Sequence, residues 1–367
     1  MSNEEIYYLL ALQKVKGVGD ISAKKLLRHF GSATEIFKAA KNNSIDVPDI
    51  GTYMIQQIKG FNDFERVNIE MDYIAKNNIK ITTIFDDDYP KKLFHAPDSP
   101  ILFFSKGNFS LEGRKTISVV GTRNITAYGK RVVAEIIESL KAFNPIIISG
   151  LAYGVDIEAH ISALKNDLET IGVLGHGFQR IYPAVHRKIA DSMLNQGGLI
   201  TEFWHTDIID RNNFLQRNRI VAGISEATLI IESGEKGGAL VTADIANSYN
   251  RDVFAIPGRI NDTYSKGCNN LIKNQQAQLV TSGEEIVQFL QWKEKPVKNK
   301  NIQLNLFVDL NPDEQKIYDY LIENGKTSLD NLSVALQMPV SKTAQTLLQM
   351  ELSNIVASLA GKQFEVI

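Results

Sequence analysis

Cysteine is almost absent from this sequence: Cys268 is the one cysteine in 367 residues. That count excludes an intramolecular disulfide and a zinc site built from several thiolates. Long apolar runs are absent as well, since none approaches the roughly 20 residues that a membrane-spanning helix needs. The N-terminus carries Glu4 and Glu5 where a signal peptide has basic residues. We therefore expect a cytoplasmic protein that has no membrane partner.

The chain also lacks a large excess of charge of either sign. It has 40 Lys and Arg against 42 Asp and Glu, and 44% of its residues are hydrophobic. This balance is typical of a soluble globular protein and excludes a disordered or fibrous one. A net charge of −2 does not exclude a nucleic-acid partner, because the clustering of basic residues decides that question.

The distribution of apolar and polar residues divides the chain into four segments. Residues 1–75 show helical spacing on both sides of Gly17-Val-Gly19, which indicates a helical domain of the helix-hairpin-helix or SAM-like type. Residues 79–292 have the pattern of an α/β domain. Residues 293–311 are polar and rich in Lys, which predicts a linker. Residues 312–367 show three helical patterns and then a hairpin, which predicts a winged helix.

The α/β prediction depends on six short apolar runs that alternate with amphipathic stretches. The runs are residues 117–120, 146–148, 171–174, 199–200, 227–231 and 253–256. Continuous runs of β-branched residues are typical of parallel strands that are covered on both faces. We therefore expect an extended Rossmann-like, doubly wound sheet with right-handed crossovers.

Gly17-Val-Gly19 lies between two helical patterns and not after a strand. Such a turn either exposes backbone amides to a nucleic-acid phosphate or simply joins two packed helices. The neighbouring lysines favour contact with a phosphate backbone; they are Lys14, Lys16, Lys24 and Lys25.

Glycine-rich turns follow three of the predicted strands: Gly121-Thr122-Arg123, Ser149-Gly150 and Gly175-His-Gly177. A glycine turn that opens a helix at the carboxyl end of a parallel strand is where α/β sheets bind anions. The P-loop pattern and the third glycine of a dinucleotide fingerprint are both missing, so we expect no cofactor. A row of such turns suits a polymer of phosphates. The alternative for Arg123 is a structural role at the strand edge.

Residues 211–219 form the most basic short stretch of the α/β domain. Arg211, Arg217 and Arg219 would neutralise phosphates, and Phe214 would stack an unpaired base, an interaction typically worth about 1–3 kcal/mol. Residues 217 and 219 point in different directions on a helix, so one of them is available for packing or for an acidic partner. A core position is the alternative for Phe214.

The sequence offers weak candidates for catalysis or metal binding. Asp156 and His160 lie one helical turn apart, but no third ligand completes a metal site, so we expect structural roles for both. Cys268 lies at a predicted helix start without an evident partner for nucleophilic catalysis. We expect neither a metal site nor a catalytic residue.

Five motifs in a fixed order resemble the DprA/Smf family of bacterial DNA-processing proteins, and the resemblance covers nearly the whole chain. They are Gly121-x-Arg123-x-x-Thr126-x-Tyr128-Gly129, Ser149-Gly-x-Ala-x-Gly-Val-Asp156, Gly175-x-Gly-x4-Tyr182-Pro183, Phe214-x-x-Arg217-Asn-Arg-Ile-Val-Ala-Gly-Ile-Ser225 and Gly267-Cys-Asn-x-Leu-Ile272. The sequence departs from the usual family pattern at Thr126, Gln179 and Gln276, which replace a common Ser, Asp and Gly.

The resemblance implies a non-enzymatic protein of natural transformation and DNA recombination. It implies that the protein binds single-stranded DNA, usually as a dimer, protects incoming strands and loads the RecA recombinase onto them. Carried over to this sequence, Arg123 would hold a phosphate. The full set of implied DNA-binding residues is Gly121, Thr122, Arg123, Ser149, Gly150, Arg187, Arg211, Phe214, Arg217 and Asn218.

Two other functions are compatible with parts of the sequence. A nucleotide-binding Rossmann enzyme of the phosphoribohydrolase type would carry a Pro-Gly-Gly-x-Gly-Thr-x-x-Glu pattern. Residues 233–244 lack that Pro and that Glu, so no general acid or base is placed for glycosidic cleavage. In a third possibility, the terminal modules bind the partner and the central domain is a scaffold.

The charge of residues 312–367 yields a prediction for the winged helix. Four Lys and no Arg stand against seven Asp and Glu, for a net charge of −3, and the presumed recognition helix at 341–352 has one basic residue, Lys342. Tight duplex binding needs several cations that neutralise phosphates. We therefore expect a weak DNA reader or a protein-interaction module. Tight binding of duplex DNA by a purified 312–367 fragment at physiological salt would contradict this expectation.

Overall fold

The computed structural model describes residues 1–42, 45, 47–293, 310–353, 355–359 and 361–366. The chain forms two compact units, Met1–Lys295 and Pro296–Ile367. Most of the predicted linker lies outside the described residues, since only 293, 310 and 311 of it are described. Within the described part, no helix combines the length and apolarity needed to cross a bilayer.

The first unit opens with a group of helices that packs directly on the sheet. These helices are α1 (Asn3–Lys14), α2 (Asp20–Phe30), α3 (Ala33–Lys41), α4 (Thr52–Lys59) and α5 (Phe64–Lys76). Leu9, Leu26 and Ile36 lie on the apolar stripes of three helices and are fully buried. They share one hydrophobic cluster with Ile101 and Trp204 from the sheet region. The predicted N-terminal helical domain is therefore present, and its core continues into the sheet.

The sheet of the first unit is mostly parallel. Its strands are β1 (Lys80–Thr83), β2 (Leu102–Gly107), β3 (Thr116–Val120), β4 (Ile146–Ser149), β5 (Thr170–Val173), β6 (Gly197–Thr201), β7 (Ala227–Ile230), β8 (Asp252–Ala255) and β9 (Gln278–Leu279). The order is β1-β2-β6-β5-β4-β3-β7-β8-β9, in which β1, β2 and β6 pair antiparallel and all other pairs are parallel. The six predicted strands correspond to β3–β8, which confirms the α/β, Rossmann-like prediction.

Helices cover both faces of the sheet. They are α6 (Lys91–Phe94), α7 (Ala127–Ser139), α8 (Val155–Lys165), α9 (Arg187–Met193), α10 (Arg211–Ile224), α11 (Gly238–Ser248), α12 (Lys266–Lys273) and α13 (Gly283–Leu290), with 3-10 turns at Lys141–Phe143 and Ala184–His186. Helices α7, α8 and α13 bury Ile117 and Ile147 on one face, whereas α10, α11 and α12 bury Ile146 and Ile148 on the other. Neighbouring β3 and β7 therefore connect to opposite faces, which leaves a crevice at their carboxyl ends.

The second unit is a small helical module with a hairpin. It contains α14 (Pro312–Asn324), β10 (Thr327–Ser328), α15 (Leu329–Ala335), α16 (Val340–Leu352), β11 (Val356–Leu359) and β12 (Gln363–Val366). Helix α14 begins as its sequence predicts: Asn311 caps it, Pro312 is its first residue, and Glu314 completes a capping box. Ile317, Leu332 and Leu347 join the three helices in one core. Three helices and a hairpin confirm the winged-helix prediction.

Gly154 determines how closely the turn after β4 approaches the turn after β3. Its φ is +81°, a conformation that favours glycine, and a Cβ atom there would overlap the carbonyl oxygen of Thr122 and the backbone of Arg123. The amide of the next residue, Val155, donates to that same Thr122 oxygen at 3.1 Å. The turn after β4 can therefore lie against the turn after β3 only because residue 154 lacks a side chain.

We expect Gly154→Ala to destabilise the protein by about 3 kcal/mol, because backbone strain and overpacking each cost about 1–3 kcal/mol. Gly113→Ala is the matched control: its φ is +63°, but a Cβ atom there would meet no other atom within 4 Å, so only the strain of about 1 kcal/mol applies. Urea denaturation followed by circular dichroism measures both. Equal losses in the two variants would show that the contact between the turns is unimportant.

Candidate nucleic-acid interface

A cleft of about 460 Å³ opens at the carboxyl ends of β3 and β7. Its walls are the turns after β3, β4 and β7 and the first half of α10. This is the position in which doubly wound sheets bind ligands. Eight of the ten predicted site residues line it: Gly121, Thr122, Arg123, Gly150, Arg211, Phe214, Arg217 and Asn218.

The turn after β3 forms one wall of the cleft. The amide of Thr122 donates to the carbonyl oxygen of Glu232 at 2.7 Å, and the Thr122 hydroxyl accepts from the amide of Asn124 at 3.1 Å. Gly121 is needed here because a Cβ atom would overlap Val155 and the Glu232 carbonyl. Arg123 is exposed and has no ion pair with any described residue. Its guanidinium is therefore available to a ligand.

Thr126, at the position where the family pattern usually has a serine, caps α7. Its hydroxyl donates to Oε1 of the buried Glu232 at 2.6 Å and accepts from the Gly129 amide at 3.1 Å, which caps α7. Threonine and serine offer the same hydroxyl for these bonds. This departure from the family pattern leaves the turn intact.

At the end of β4, Ser149 departs from its carried-over role, whereas Gly150 does not. The Ser149 hydroxyl is fully buried and donates to the carbonyl oxygen of Val119 at 2.6 Å, so it does not face a ligand. Gly150 does lie in the cleft, where a Cβ atom would overlap the Arg217 guanidinium and the Asp156 carboxylate. Sequence could not reveal that the hydroxyl is used inside the sheet, because Val119 meets it only across neighbouring strands.

Helix α10 forms the opposite wall. Arg211 is exposed at its first turn and has no ion pair with a described residue. Phe214 is half-buried, with its ring 5.9 Å from that of Tyr182, which is itself 50% exposed. Asn218 donates to the carbonyl oxygen of Gly238 at 3.4 Å. Phe214 therefore presents part of an aromatic surface to the cleft and is not a core residue.

Arg217 lies on the floor of the cleft and not on its lip. It is 5% exposed, donates from one terminal nitrogen to the Val173 carbonyl oxygen at 2.7 Å, and lies 4.0 Å from the Asp156 carboxylate. Its Nε is buried without a hydrogen-bond partner among the described residues. Burial raises the pKa of Asp156, and the Arg217 guanidinium opposes that rise. The pair thus supplies a fixed donor beneath the turn after β4.

Arg187 lies outside the cleft. It is exposed at the start of α9, and its positive charge contributes, after burial, to lowering the pKa of nearby Lys106. Neither cation has an ion pair with a described residue. The preceding residue, His186, has its Nδ1 2.9 Å from the Leu151 carbonyl oxygen in the turn after β4, so Arg187 is a separate basic position near the same edge of the sheet.

The structure adds cleft residues that the sequence did not single out. Lys236 is exposed in the turn after β7 and has no ion pair with a described residue, and Gly237 and Gly238 open α11 beside it. Asn124 donates to the Tyr264 hydroxyl at 3.1 Å, and both line the cleft. The glycine-rich turn around Lys236 was the available signal, because a glycine turn after β7 belongs to the same crevice.

Most of the lysines near Gly17-Val-Gly19 form ion pairs or hydrogen bonds within the first unit. Lys14 pairs with Asp207 at 2.6 Å, and Lys24 donates to the Pro97 carbonyl and the Ser99 hydroxyl at 2.9 and 2.7 Å. Burial lowers the pKa of Lys24 to about 8. The sequence argument from these cations toward a phosphate contact is weakened for Lys14 and Lys24, because an ion pair with Asp207 holds Lys14 and hydrogen bonds to neutral oxygens hold Lys24.

The weak catalytic and metal candidates have structural roles. His160 is fully buried between the Thr170 hydroxyl and the Gly150 carbonyl, at 2.7 and 2.6 Å. Cys268 is buried, and burial raises the pKa of its thiol to about 12. Among the described residues, no group of three or more His, Cys, Asp or Glu side chains could hold a metal ion.

Comparison with known families identifies the two units. A family model described as DNA recombination-mediator protein A matches residues 80–291, and one described as the DprA winged helix domain matches residues 308–362. The chain belongs to the DNA-processing protein A family. The resemblance inferred from the motifs is thereby confirmed.

Similar sequences and structures support the same assignment. Protein Smf of Synechocystis is 30% identical over 403 aligned positions that span 100% of both chains. The DNA processing protein DprA of Bacillus subtilis is 35% identical over 69% of this chain and 88% of its own. The X-ray structure of DprA from Streptococcus pneumoniae has a TM-score of 0.66 and 30% identity, and covers 80% of this chain and 99% of its own.

A second solved structure carries a functional description. The Helicobacter pylori DNA processing protein A is described by its single-stranded DNA binding mode. Its TM-score is 0.53 at 26% identity, over 59% of this chain and 98% of its own. The match therefore extends to a family member whose ligand is named.

The buried imidazole beneath Gly150 yields a prediction for acid stability. Burial lowers the pKa of His160 to about 4, whereas an unfolded histidine has a pKa near 6.5. The unfolded chain therefore takes up a proton first as the pH falls, and about 3 kcal/mol of stability is lost between pH 6.5 and 4.

Urea denaturation at pH 7.5 and 4.5 measures this loss. His160→Gln should be less stable than the wild type at pH 7.5 but should lose less stability on acidification, because one titrating group is gone. His29→Gln, which removes an exposed imidazole, should keep the wild-type dependence. A parallel decline in wild type and His160→Gln would disprove the assignment.

Proposed function

We propose that the protein binds single-stranded DNA in the cleft at the carboxyl ends of β3 and β7. The observation that carries this proposal is the combination of free cations with a partly exposed ring. Arg123, Arg211 and Lys236 line the cleft without ion pairs to described residues, and Phe214 lines the same cleft. Free cations attract phosphates, and an accessible ring stacks a base that has no complementary partner.

The charges of the cleft favour binding over catalysis. Asp156 is the one acidic side chain among the described lining residues, and it is occupied by the Ala152 amide at 3.3 Å and by Arg217. A glycosidic cleavage needs a carboxyl group free to move a proton at the substrate. This observation supports a non-enzymatic role and counts against the phosphoribohydrolase alternative.

We propose that a bound strand continues beyond the cleft over Tyr182 toward Arg187. The cleft of about 460 Å³ has the volume of a small-molecule site, whereas proteins that bind single strands engage roughly 4–16 nucleotides per domain. Phe214 and Tyr182 form a pair of adjacent rings, and Arg187, which has no ion pair with a described residue, begins α9 five residues after Tyr182. Aromatic rings interleaved with free cations suit an unpaired strand.

Protection of incoming DNA, dimer formation and loading of RecA are proposed from the family resemblance alone. Relatives named for DNA processing cover most of this chain. We infer the same role in natural transformation and recombination here. Analytical ultracentrifugation of the full chain, with and without RecA and an oligonucleotide, tests the two assembly steps.

The winged helix is proposed as a protein-interaction module. Lys342, the one basic residue of α16, already pairs with Asp313 at 2.6 Å. Leu348 and Leu352 are 56% and 77% exposed one turn apart on the same helix. A helix with exposed leucines and a neutralised lysine suits a protein surface better than a DNA groove.

We expect Arg123→Ala to weaken binding of a labelled single-stranded oligonucleotide for every base sequence tested. It should also reduce the slope of log affinity against log salt by about 0.7, because one phosphate contact is lost. The titration uses matched single- and double-stranded oligonucleotides at several salt concentrations.

Lys141→Ala is the control, because this exposed lysine, which pairs with Asp167 at 3.4 Å, precedes β4 at the opposite end of the sheet. It should change neither the affinity nor the slope. Wild-type affinity and slope in Arg123→Ala, or a wild type that prefers the duplex, would refute the proposed function.

A further inference from the structure

Helix α10 carries a second buried arginine that faces away from the cleft. Arg217 and Arg219 are two residues apart, so their side chains leave the helix on nearly opposite sides. Arg217 reaches the floor of the cleft, whereas Arg219 reaches the N-terminal helices and the segment before β2. Arg219 is 6% exposed, so a DNA strand has no access to it.

Three groups from different parts of the chain hold the Arg219 guanidinium. It donates to the Asp98 carbonyl oxygen at 2.5 Å and to Oδ2 of Asp20 at 2.9 Å, and it pairs closely with the Glu202 carboxylate. Burial alone would lower the pKa of Arg219, but the carboxylates of Glu202 and Asp20 raise it overall. The arginine therefore stays charged and joins α10 to three separate segments.

Asp20 is itself held rigidly. It is the first residue of α2, directly after the Gly17-Val-Gly19 turn, and its Oδ1 accepts from the Ile101 amide at 2.9 Å. One turn later, Lys24 donates to the Pro97 carbonyl oxygen at 2.9 Å. The first turn of α2 is therefore fastened both at Asp20, the residue that contacts Arg219, and at Lys24.

These contacts connect the N-terminal helices to the wall of the proposed DNA cleft. Arg211, Phe214 and Asn218 are presented by the same rigid helix as Arg219. A rotation or shift of α10 would change the spacing between these residues and Arg123 on the opposite wall. Displacements of about 1 Å in a binding arrangement are enough to cost much of its affinity.

We propose that Asp20 and Arg219 are positioning residues: through them the N-terminal helices set the affinity of the cleft for single-stranded DNA without touching the strand. This inference rests on the proposed function. It also assigns a role to the acidic residue at the helix-hairpin-helix turn that differs from a phosphate contact.

The test compares Asp20→Asn with Arg123→Ala in the full chain. Asparagine keeps the size of the side chain and an oxygen for the Ile101 amide but loses the charge that faces Arg219. We expect the dissociation constant for a labelled single-stranded oligonucleotide to rise about 3- to 30-fold. The salt slope should stay at the wild-type value, because no phosphate contact is lost, whereas Arg123→Ala lowers it by about 0.7.

Asp49→Asn is the matched control. Asp49 is an exposed acid of the same helical region that pairs with Lys25 at 3.1 Å, and its loss should leave binding unchanged. Glu202→Gln removes the other carboxylate from Arg219 and should reproduce the effect of Asp20→Asn. It replaces Asp20→Asn as the deciding variant if circular dichroism shows that the latter is unfolded.

Hydrogen exchange of the DNA-free protein separates this inference from the proposed function. In Asp20→Asn, amides of 211–224 should exchange faster while those of 127–139 in α7 keep their wild-type rates. Unchanged exchange in α10, unchanged affinity, or an affinity loss with a reduced salt slope would each overturn the inference. A wild type that binds no oligonucleotide would refute the proposed function, and α10 exchange would still report whether Asp20 positions the helix.

Discussion

The close approach of the turns after β3 and β4 is the constraint on which the cleft depends. Gly154 allows the Val155 amide to reach the Thr122 carbonyl, and Gly150 leaves room for the Arg217 guanidinium beside Asp156. A Cβ atom at either glycine would occupy space that backbone or a guanidinium now fills. Backbone atoms and the buried ion pair of Arg217 with Asp156 therefore form the floor of the cleft. The cations on its walls, Arg123, Arg211 and Lys236, are exposed.

The electrostatic character of the first unit follows from which cations already have partners. Lys14 and Arg219 form ion pairs with carboxylates inside the unit, and Lys24 donates to a carbonyl and a hydroxyl oxygen there, so all three join the N-terminal helices to the rest of the unit. Arg123 and Lys236 have no such partners among the described residues. Because both kinds of residue carry the same formal charge, net charge alone says little about where a polyanion would bind.

Helix α10 combines these two uses of charge in one rigid element. Its first turn presents the exposed Arg211 to the cleft without an ion pair to a described residue, and its other side is fastened through Arg219 to Asp20 and Glu202. A buried ion pair loses hydration when it forms, so it is weak evidence for net stability, but removal of one partner leaves an uncompensated buried charge. In this architecture the N-terminal helices and the sheet hold α10 in the position from which it faces the turn after β3.

The sequence by itself determined the order of strands and helices and the glycine turns at the sheet edge, because apolar periodicity and glycine placement are local properties. It also placed Arg123, Arg211 and Phe214 in one predicted site, and they do line one cleft. The glycine-rich turn around Lys236 carried a local signal for that residue as well. Only the tertiary structure decided that the Ser149 hydroxyl is used inside the sheet and that Arg187 lies outside the cleft. Those outcomes depend on which groups meet across strands and between helices, and contacts between distant segments leave no local mark in the chain.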